Sequence, residues 1–172
     1  MILGDLIMSK RIPSFSIVFE TENLSSVELD NLYRSLDSLS CQSVPIHKTN
    51  EFLIIDSGNV SIDTRKKICE RYPFVKFHKV HNKLDYHEAK MLGANLSSGG
   101  IVVFCDSDCV YEKRWLENIL LFFTEHPQAH IVAGETSAPL ASSAIEISTK
   151  GLRANSVSRA LRMRSRLSRE RF

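Results

Sequence analysis

Two aspartates separated by a single residue, Asp106 and Asp108, follow directly on a short apolar run, Ile101 to Cys105. In an extended chain, positions i and i+2 project to the same side about 7 Å apart. Two carboxylates at that spacing can share a hard divalent cation, Mg²⁺ or Mn²⁺, whose remaining ligands would be phosphate oxygens and water. Such an ion would offset the charge on a departing diphosphate. The plainer reading of Asp-Ser-Asp is a polar turn. Asp56 likewise ends an apolar run, Phe52 to Ile55, where it serves either as a ligand-binding group or as the cap of the next helix. Glu20 and Glu22 close a third such run, Phe15 to Phe19. If these runs are parallel strands, their acids open onto one edge and repel one another, which calls for a cation or a donor-rich ligand.

The elements needed to position these acids can be read along the chain. Phe15 to Phe19, Phe52 to Ile55 and Ile101 to Cys105 are too short and too apolar for surface helices and suit strands buried on both faces. Phe74 to Val80 reads as a weaker strand, and Ile131 to Ala133 begins a fifth. Between them lie helical patterns. Ser25 and Glu28 have capping-box spacing ahead of Leu29, Leu32, Tyr33, Leu36 and Leu39. Asp56-Ser57-Gly58-Asn59 leads into a helix near Ile62 to Arg71 that Pro73 stops. Asp85 and Glu88 repeat the cap spacing before a helix whose Ala89, Leu92 and Leu96 face inward and whose end falls at Gly99-Gly100. Trp115, Leu116, Ile119, Leu120 and Phe123 form one face of a helix over Lys113 to Glu125. Alternating strands and helices require crossover connections, hence an α/β fold with helices on both faces of a largely parallel sheet and ligands at the carboxyl ends of its strands.

Composition bounds the function. The 172 residues, 43% of them hydrophobic, suffice for one domain with a buried core. The formal net charge of +2 is uneven: Lys150 to Phe172 holds eight basic residues against Glu170, which leaves the preceding body net acidic. An acidic body argues against nucleic-acid binding. The basic end is read either as a solvated tail or as an amphipathic helix at a membrane surface. Cys41, Cys69, Cys105 and Cys109 lack zinc-site spacing, and the first residues lack a signal-peptide pattern, so a reduced, cytoplasmic location is expected. His78 and His81 are read as surface residues, Cys105 and Cys109 as core.

Three ordered blocks together resemble the family 2 glycosyltransferases. Ser16 to Asn23 is similar to that family's first strand and its Thr-aromatic-Asn ending, and Phe52 to Asn59 to its second strand with an Asp-Asp-Gly-Ser ending. His87 to Gly93, then Ser97 to Asp108, resembles its Ala-Arg-Asn-x-Gly helix and the Gly-led strand that enters Asp-x-Asp; Trp115-Leu116 and Gly134 also fall in place. The resemblance spans about Pro13 to Thr136 and implies a Rossmann-like nucleotide-diphospho-sugar transferase fold, incomplete at its C-terminal side. It implies residues 1–13 as a leader, 14–136 as the nucleotide-sugar-binding domain and 137–172 as a basic tail, disordered or helical. It also implies that Thr21, Glu22, Asn23 and Asp56 hold the base, Lys90 the diphosphate or its surroundings, Asp106 the ribose or the metal, and Asp108 the metal, with Mg²⁺ or Mn²⁺ as cofactor and a nucleotide-diphospho-sugar as donor. Glu22 stands in place of the family's aromatic, Ser57 of its second Asp, and Lys90 of its Arg, a change that loses the bidentate guanidinium fork.

The family's catalytic base and its later Gln-x-x-Arg-Trp-like segment have no counterpart in this reading, so the chain looks cut short. Glu135 is a weak substitute for the base, since a base must reach the acceptor hydroxyl. The expected function is sugar transfer to an unidentified acceptor, with this chain supplying the donor-binding half. The competing expectations are a catalytically inactive nucleotide-binding or interaction module of the same fold and, more remotely, a nucleotidyltransferase, whose glycine- and lysine-rich phosphate loop is absent after the first strand.

Overall fold

A computed structural model of the chain describes residues 12–21, 29–58, 60–80, 84–107 and 109–134, together with the backbone of 159–162. Strands β1 (Phe15–Glu20), β2 (Phe52–Asp56), β3 (Val75–Lys79) and β4 (Ile101–Cys105) alternate with helices α1 (Leu29–Ser40), α2 (Ile62–Arg71) and α3 (Tyr86–Leu96). Helix α4 (Trp115–Glu125) and strands β5 (Ile131–Ala133) and β6 (Arg159–Arg162) follow. The sheet order is β3-β2-β1-β4-β6-β5. β1 runs parallel to both β2 and β4, and β2 parallel to β3, while β6 is antiparallel to β4 and β5.

The period-2 alternation of the strands divides the core into two layers. Phe15, Ile17 and Phe19 of β1, Phe52 and Ile54 of β2, and Ile101 and Val103 of β4 pack with Leu32, Leu36 and Leu39 of α1, Ile68 of α2 and Leu116, Leu120 and Phe123 of α4. On the opposite face Val18, Leu53, Ile55 and Val102 pack against Ala89 and Ala94 of α3. Helices therefore cover both faces of a largely parallel sheet, which is why β1, with six consecutive buried residues, shows no amphipathic pattern. Helix α3 lies close to the sheet because Gly93 is small: a Cβ there would press into Val18 and Ile55.

Helix α3 begins with the expected capping box. The Asp85 carboxylate accepts from the Glu88 N–H at 2.8 Å, and the Glu88 carboxylate accepts from the Asp85 N–H at 3.0 Å. Its end differs from expectation: the helix stops at Leu96, which is exposed, with Ser97 as C-cap. Gly99 and Gly100 do not adopt positive φ, which among the described glycines belongs to Gly58. Gly99 is required instead by proximity, since a Cβ there would collide with the backbone of Phe15 and Ser16.

Nearby, at the amino ends of the strands, Glu51 gathers the loops. It accepts from the Ser16 hydroxyl at 2.5 Å, the Ser98 N–H at 3.0 Å and the Ser98 hydroxyl, while the Gly99 N–H donates to Ser16 Oγ at 3.0 Å. Burial acts to raise the Glu51 pKa, but these hydrogen bonds outweigh it and hold the carboxyl below its ordinary value.

The second departure from the sequence reading is β6. Residues 159–162, assigned there to a basic tail, pair with the free edge of β4, with Ile101 opposite Arg162 and Phe104 opposite Arg159. Ser25, Glu28 and His81 lie outside the described residues.

Candidate functional site

The strand order reverses about β1, whose neighbours β2 and β4 were reached by crossovers in opposite directions. That reversal opens a crevice at the carboxyl ends of β1 and β4. Thr21 follows β1, Asp56 ends β2 and Asp106 follows β4, so all three stand on this edge. Asp56 and Asp106 are separated by two strand spacings, roughly 10 Å. Glu22, Asn23 and Asp108, and with them the expected second carboxylate of the metal pair, lie outside the described residues, as does Glu135.

Thr21 joins two of the strand ends. Its hydroxyl donates to the Ile55 carbonyl at 3.1 Å and accepts from the Ser57 N–H at 3.3 Å. Asp56 is fully buried. Its Oδ1 accepts from the Gly58 N–H at 2.9 Å and the Val60 N–H at 3.4 Å, shaping the turn in the manner of an Asx motif. The helix cap is a different residue, Ser61, which accepts from the Thr64 N–H. Arg65 Nε stands 3.5 Å from Asp56 Oδ2, close enough for charge attraction but without hydrogen-bond geometry.

Asp106 is also buried, and its Oδ1 is heavily used. Lys90 Nζ lies 2.5 Å away and the Tyr86 hydroxyl donates to the same oxygen at 2.8 Å; Lys90 and Tyr86 also touch each other. For Asp56 and Asp106, part of the charge compensation that the sequence reading sought in a cation or a donor-rich ligand is met from within the chain. Arg65 and Lys90 offset the charge of Asp56 and Asp106 from within the chain, and both bases come from helices brought over the sheet by the crossovers.

The loop after β4 is held by residues that the sequence reading passed over. The Tyr111 hydroxyl accepts from the Asp106 N–H at 2.8 Å and faces the Asp106 carbonyl at 3.2 Å. Burial pushes the Tyr111 pKa well up, so it remains a neutral donor and acceptor. Ser35, buried in α1, directs its hydroxyl toward the carbonyls of Ser107, at 3.0 Å, and Cys109. The Tyr111 N–H donates to Ser38 Oγ at 3.0 Å. A serine within the apolar stripe of α1 was the available signal, because a buried hydroxyl needs a partner. Cys105 beside this loop is wholly buried, and burial drives its pKa far up, as befits an inert core thiol.

Among the described residues, the buried side-chain polar atoms left without a hydrogen-bond partner are Asp56 Oδ2, Ser57 Oγ and Asp106 Oδ2. All three stand at the carboxyl edge. Such atoms are costly to leave unsatisfied, by about 1–3 kcal/mol each and more for a charged group. No group of three or more His, Cys, Asp or Glu side chains able to hold a metal occurs among the described residues. A Mg²⁺ or Mn²⁺ bound to a diphosphate needs only one or two carboxylates, and Asp106 Oδ2 fits that requirement.

A parallel sheet of this order, covered on both faces and carrying acids at its carboxyl edge, is that of the GT-A-type nucleotide-diphospho-sugar transferases. The glycosyl transferase family 2 profile matches residues 26–162, and the chain belongs to that family. The match takes in β6, beyond the reach of the motif blocks. The chain is 27% identical over 114 residues to polypeptide N-acetylgalactosaminyltransferase 8 of Drosophila melanogaster, covering 64% of this chain and 19% of that protein. It is 28% identical over 114 residues to glycosyltransferase AglE of Haloferax volcanii, covering 64% and 35% respectively. With the inactive polypeptide N-acetylgalactosaminyltransferase-like protein 5 of Mus musculus it shares 30% identity over 97 residues, 54% of this chain and 22% of that one. The chain thus spans between about a fifth and a third of these relatives' lengths.

Among solved structures, S. aureus TarS 1-349 superposes with a TM-score of 0.63 at 19% identity, covering 87% of this chain and 47% of that one. The same protein in complex with UDP gives 0.55 at 23% identity, covering 69% and 34%. These likenesses establish the fold.

Proposed function

We propose that this chain is the donor-binding part of a glycosyltransferase that moves a sugar from a nucleotide-diphospho-sugar to an acceptor hydroxyl. The observation that carries this reading is that, among the described residues, the buried side-chain polar atoms without a hydrogen-bond partner, Asp56 Oδ2, Ser57 Oγ and Asp106 Oδ2, all stand at the edge where α/β sheets bind ligands. Asp56 Oδ2 and Ser57 Oγ suit hydrogen-bonding groups of a base, and Thr21 fixes the turn that carries them. Asp106 Oδ2 suits a ribose hydroxyl or a metal. Asp106 and Asp108 would hold Mg²⁺ or Mn²⁺, which when bound supplies positive charge to the leaving diphosphate. Lys90 adds a fixed cation beside the same carboxylate. UDP, the nucleotide in the TarS complex, is the natural first probe.

Calorimetry with UDP in the presence and absence of Mn²⁺ tests the reading. We expect saturable binding that strengthens with Mn²⁺ and weakens in Asp108→Ala. Absence of UDP binding under both conditions would remove it. A second reading, an inactive module of the same fold, is favoured by the likeness to the inactive mouse protein. Release of sugar from a UDP-sugar by the purified chain would exclude that alternative. A cytoplasmic location, with basic residues after Lys150 meeting anionic lipid, accompanies the proposal and is tested by cell fractionation and vesicle sedimentation. No helix among the described residues is long and apolar enough to cross a membrane.

A further inference from the structure

Tyr86 belongs to none of the motif blocks, yet it touches both members of the ion pair at the sheet edge. It is the first residue of α3, held there by the Asp85–Glu88 capping box, and Lys90 follows one turn later on the same helix face. The Tyr86 hydroxyl donates to Asp106 Oδ1 at 2.8 Å and contacts the Lys90 ammonium, which lies 4.0 Å from the Tyr86 ring centroid. Lys90 Nζ reaches the same Oδ1 at 2.5 Å, and the side chains of Lys90 and Asp106 are 12% and 4% exposed. The carboxylate is thus divided, one oxygen saturated and the other, Oδ2, buried without a partner. A lysine ammonium is a point charge on a flexible stem and does not by itself select one carboxylate oxygen. A tyrosine hydroxyl on a ring with two torsions can.

We propose that Tyr86 is a positioning residue of this site: by joining Lys90 on Oδ1 it sets the plane of the Asp106 carboxylate and presents Oδ2 to the incoming nucleoside diphosphate and its cation. The inference rests on the nucleotide-binding reading of the site. Tyr86 acts through Asp106 and makes no claim on the ligand itself. Partners of this kind, one step removed from the ligand, are commonly worth about 10- to 100-fold in affinity when removed.

Tyr86→Phe keeps the ring beside Lys90 and deletes only the hydroxyl. We expect its dissociation constant for UDP in Mn²⁺, measured by calorimetry, to rise about 10-fold or more, with a melting temperature close to that of the parent chain. In a Lys90→Met background the same change should have a smaller effect, because the two residues share one oxygen and their contributions couple. A purely structural tyrosine would instead lower the melting temperature and give binding effects that multiply independently. Tyr86→Phe binding UDP as the parent does, or independent effects in the double variant, would overturn the inference while leaving the site reading intact. A parent chain that binds no UDP would overturn both.

Discussion

Asp106 and Asp56 meet their charge requirements differently, and the difference can be measured. Asp106 shares a buried ion pair with Lys90, whereas Asp56 relies on backbone N–H groups and a more distant Arg65. Removing one member of a buried pair leaves the other uncompensated, at a typical cost of about 3–5 kcal/mol. Asp106→Asn should therefore lower the melting temperature by several degrees, and adding Lys90→Met should recover part of the loss. Additive melting losses in the double variant would show that the pair does not govern stability. Gly99 gives a second prediction at this scale. Gly99→Ala places a methyl group against the backbone of Phe15 and Ser16, and backbone cannot yield as a side chain does. We expect destabilisation of at least about 1–3 kcal/mol by urea titration, in the range of overpacked sites. At the residue scale, Asp56 and Asp106 were legible because each follows an apolar run, and Thr21 only through the family resemblance. Tyr86, Ser35 and Tyr111 were not, because their partners are reached only through space, Ser35 contacting carbonyls more than 70 positions away.

Helix α3 and the loops at the amino ends of the strands show how elements hold the site. The capping box fixes the first turn of α3 and hence Tyr86. Asp85→Ala should cost about 1 kcal/mol of stability and weaken UDP binding through the displaced first turn, both readable by melting and calorimetry. At the opposite end of the sheet, Glu51 ties the starts of β1, β2 and β4 together through Ser16, Ser98 and Gly99. Its pKa is lowered in the folded chain. Its stabilising contribution is therefore complete above the unfolded carboxyl value, about 4.3, and is lost as pH falls through the lower folded value. The difference in melting temperature between the parent and Glu51→Gln should be present at pH 7 and shrink below about pH 4. A pH-independent difference would assign the effect to packing. The helix stripes and the Asp85–Glu88 cap agree with local patterns, whereas α2 is capped by Ser61 and not by Asp56; the end of α3 departs from them because Gly99 answers to the neighbouring strand and not to the helix.

Across the whole molecule, β4 is central only because β6 covers it. The order β3-β2-β1-β4-β6-β5 places a late, arginine-rich segment beside the most apolar strand and makes β5 the edge. A chain ending at residue 134 would leave the β4 backbone edge unpaired, and open edges promote association. We expect that shortened chain to elute in size-exclusion chromatography as oligomers or aggregates, ahead of the 172-residue chain, which elutes later as a monomer; equal elution behaviour after correction for length would deny β6 a protective role.

Apolar runs of strand length, helical stripes and acids at run ends are short-range features, and they sufficed to infer an α/β fold with ligands at one edge. Strand order, the pairing of Asp106 with Lys90 and Tyr86, and the recruitment of residues 159–162 into the sheet are products of distant contacts. Strand formation depends on the neighbour a segment finds more than on its own residues, so a basic stretch such as Arg159–Arg162 becomes a strand only where β4 and β5 offer it a place.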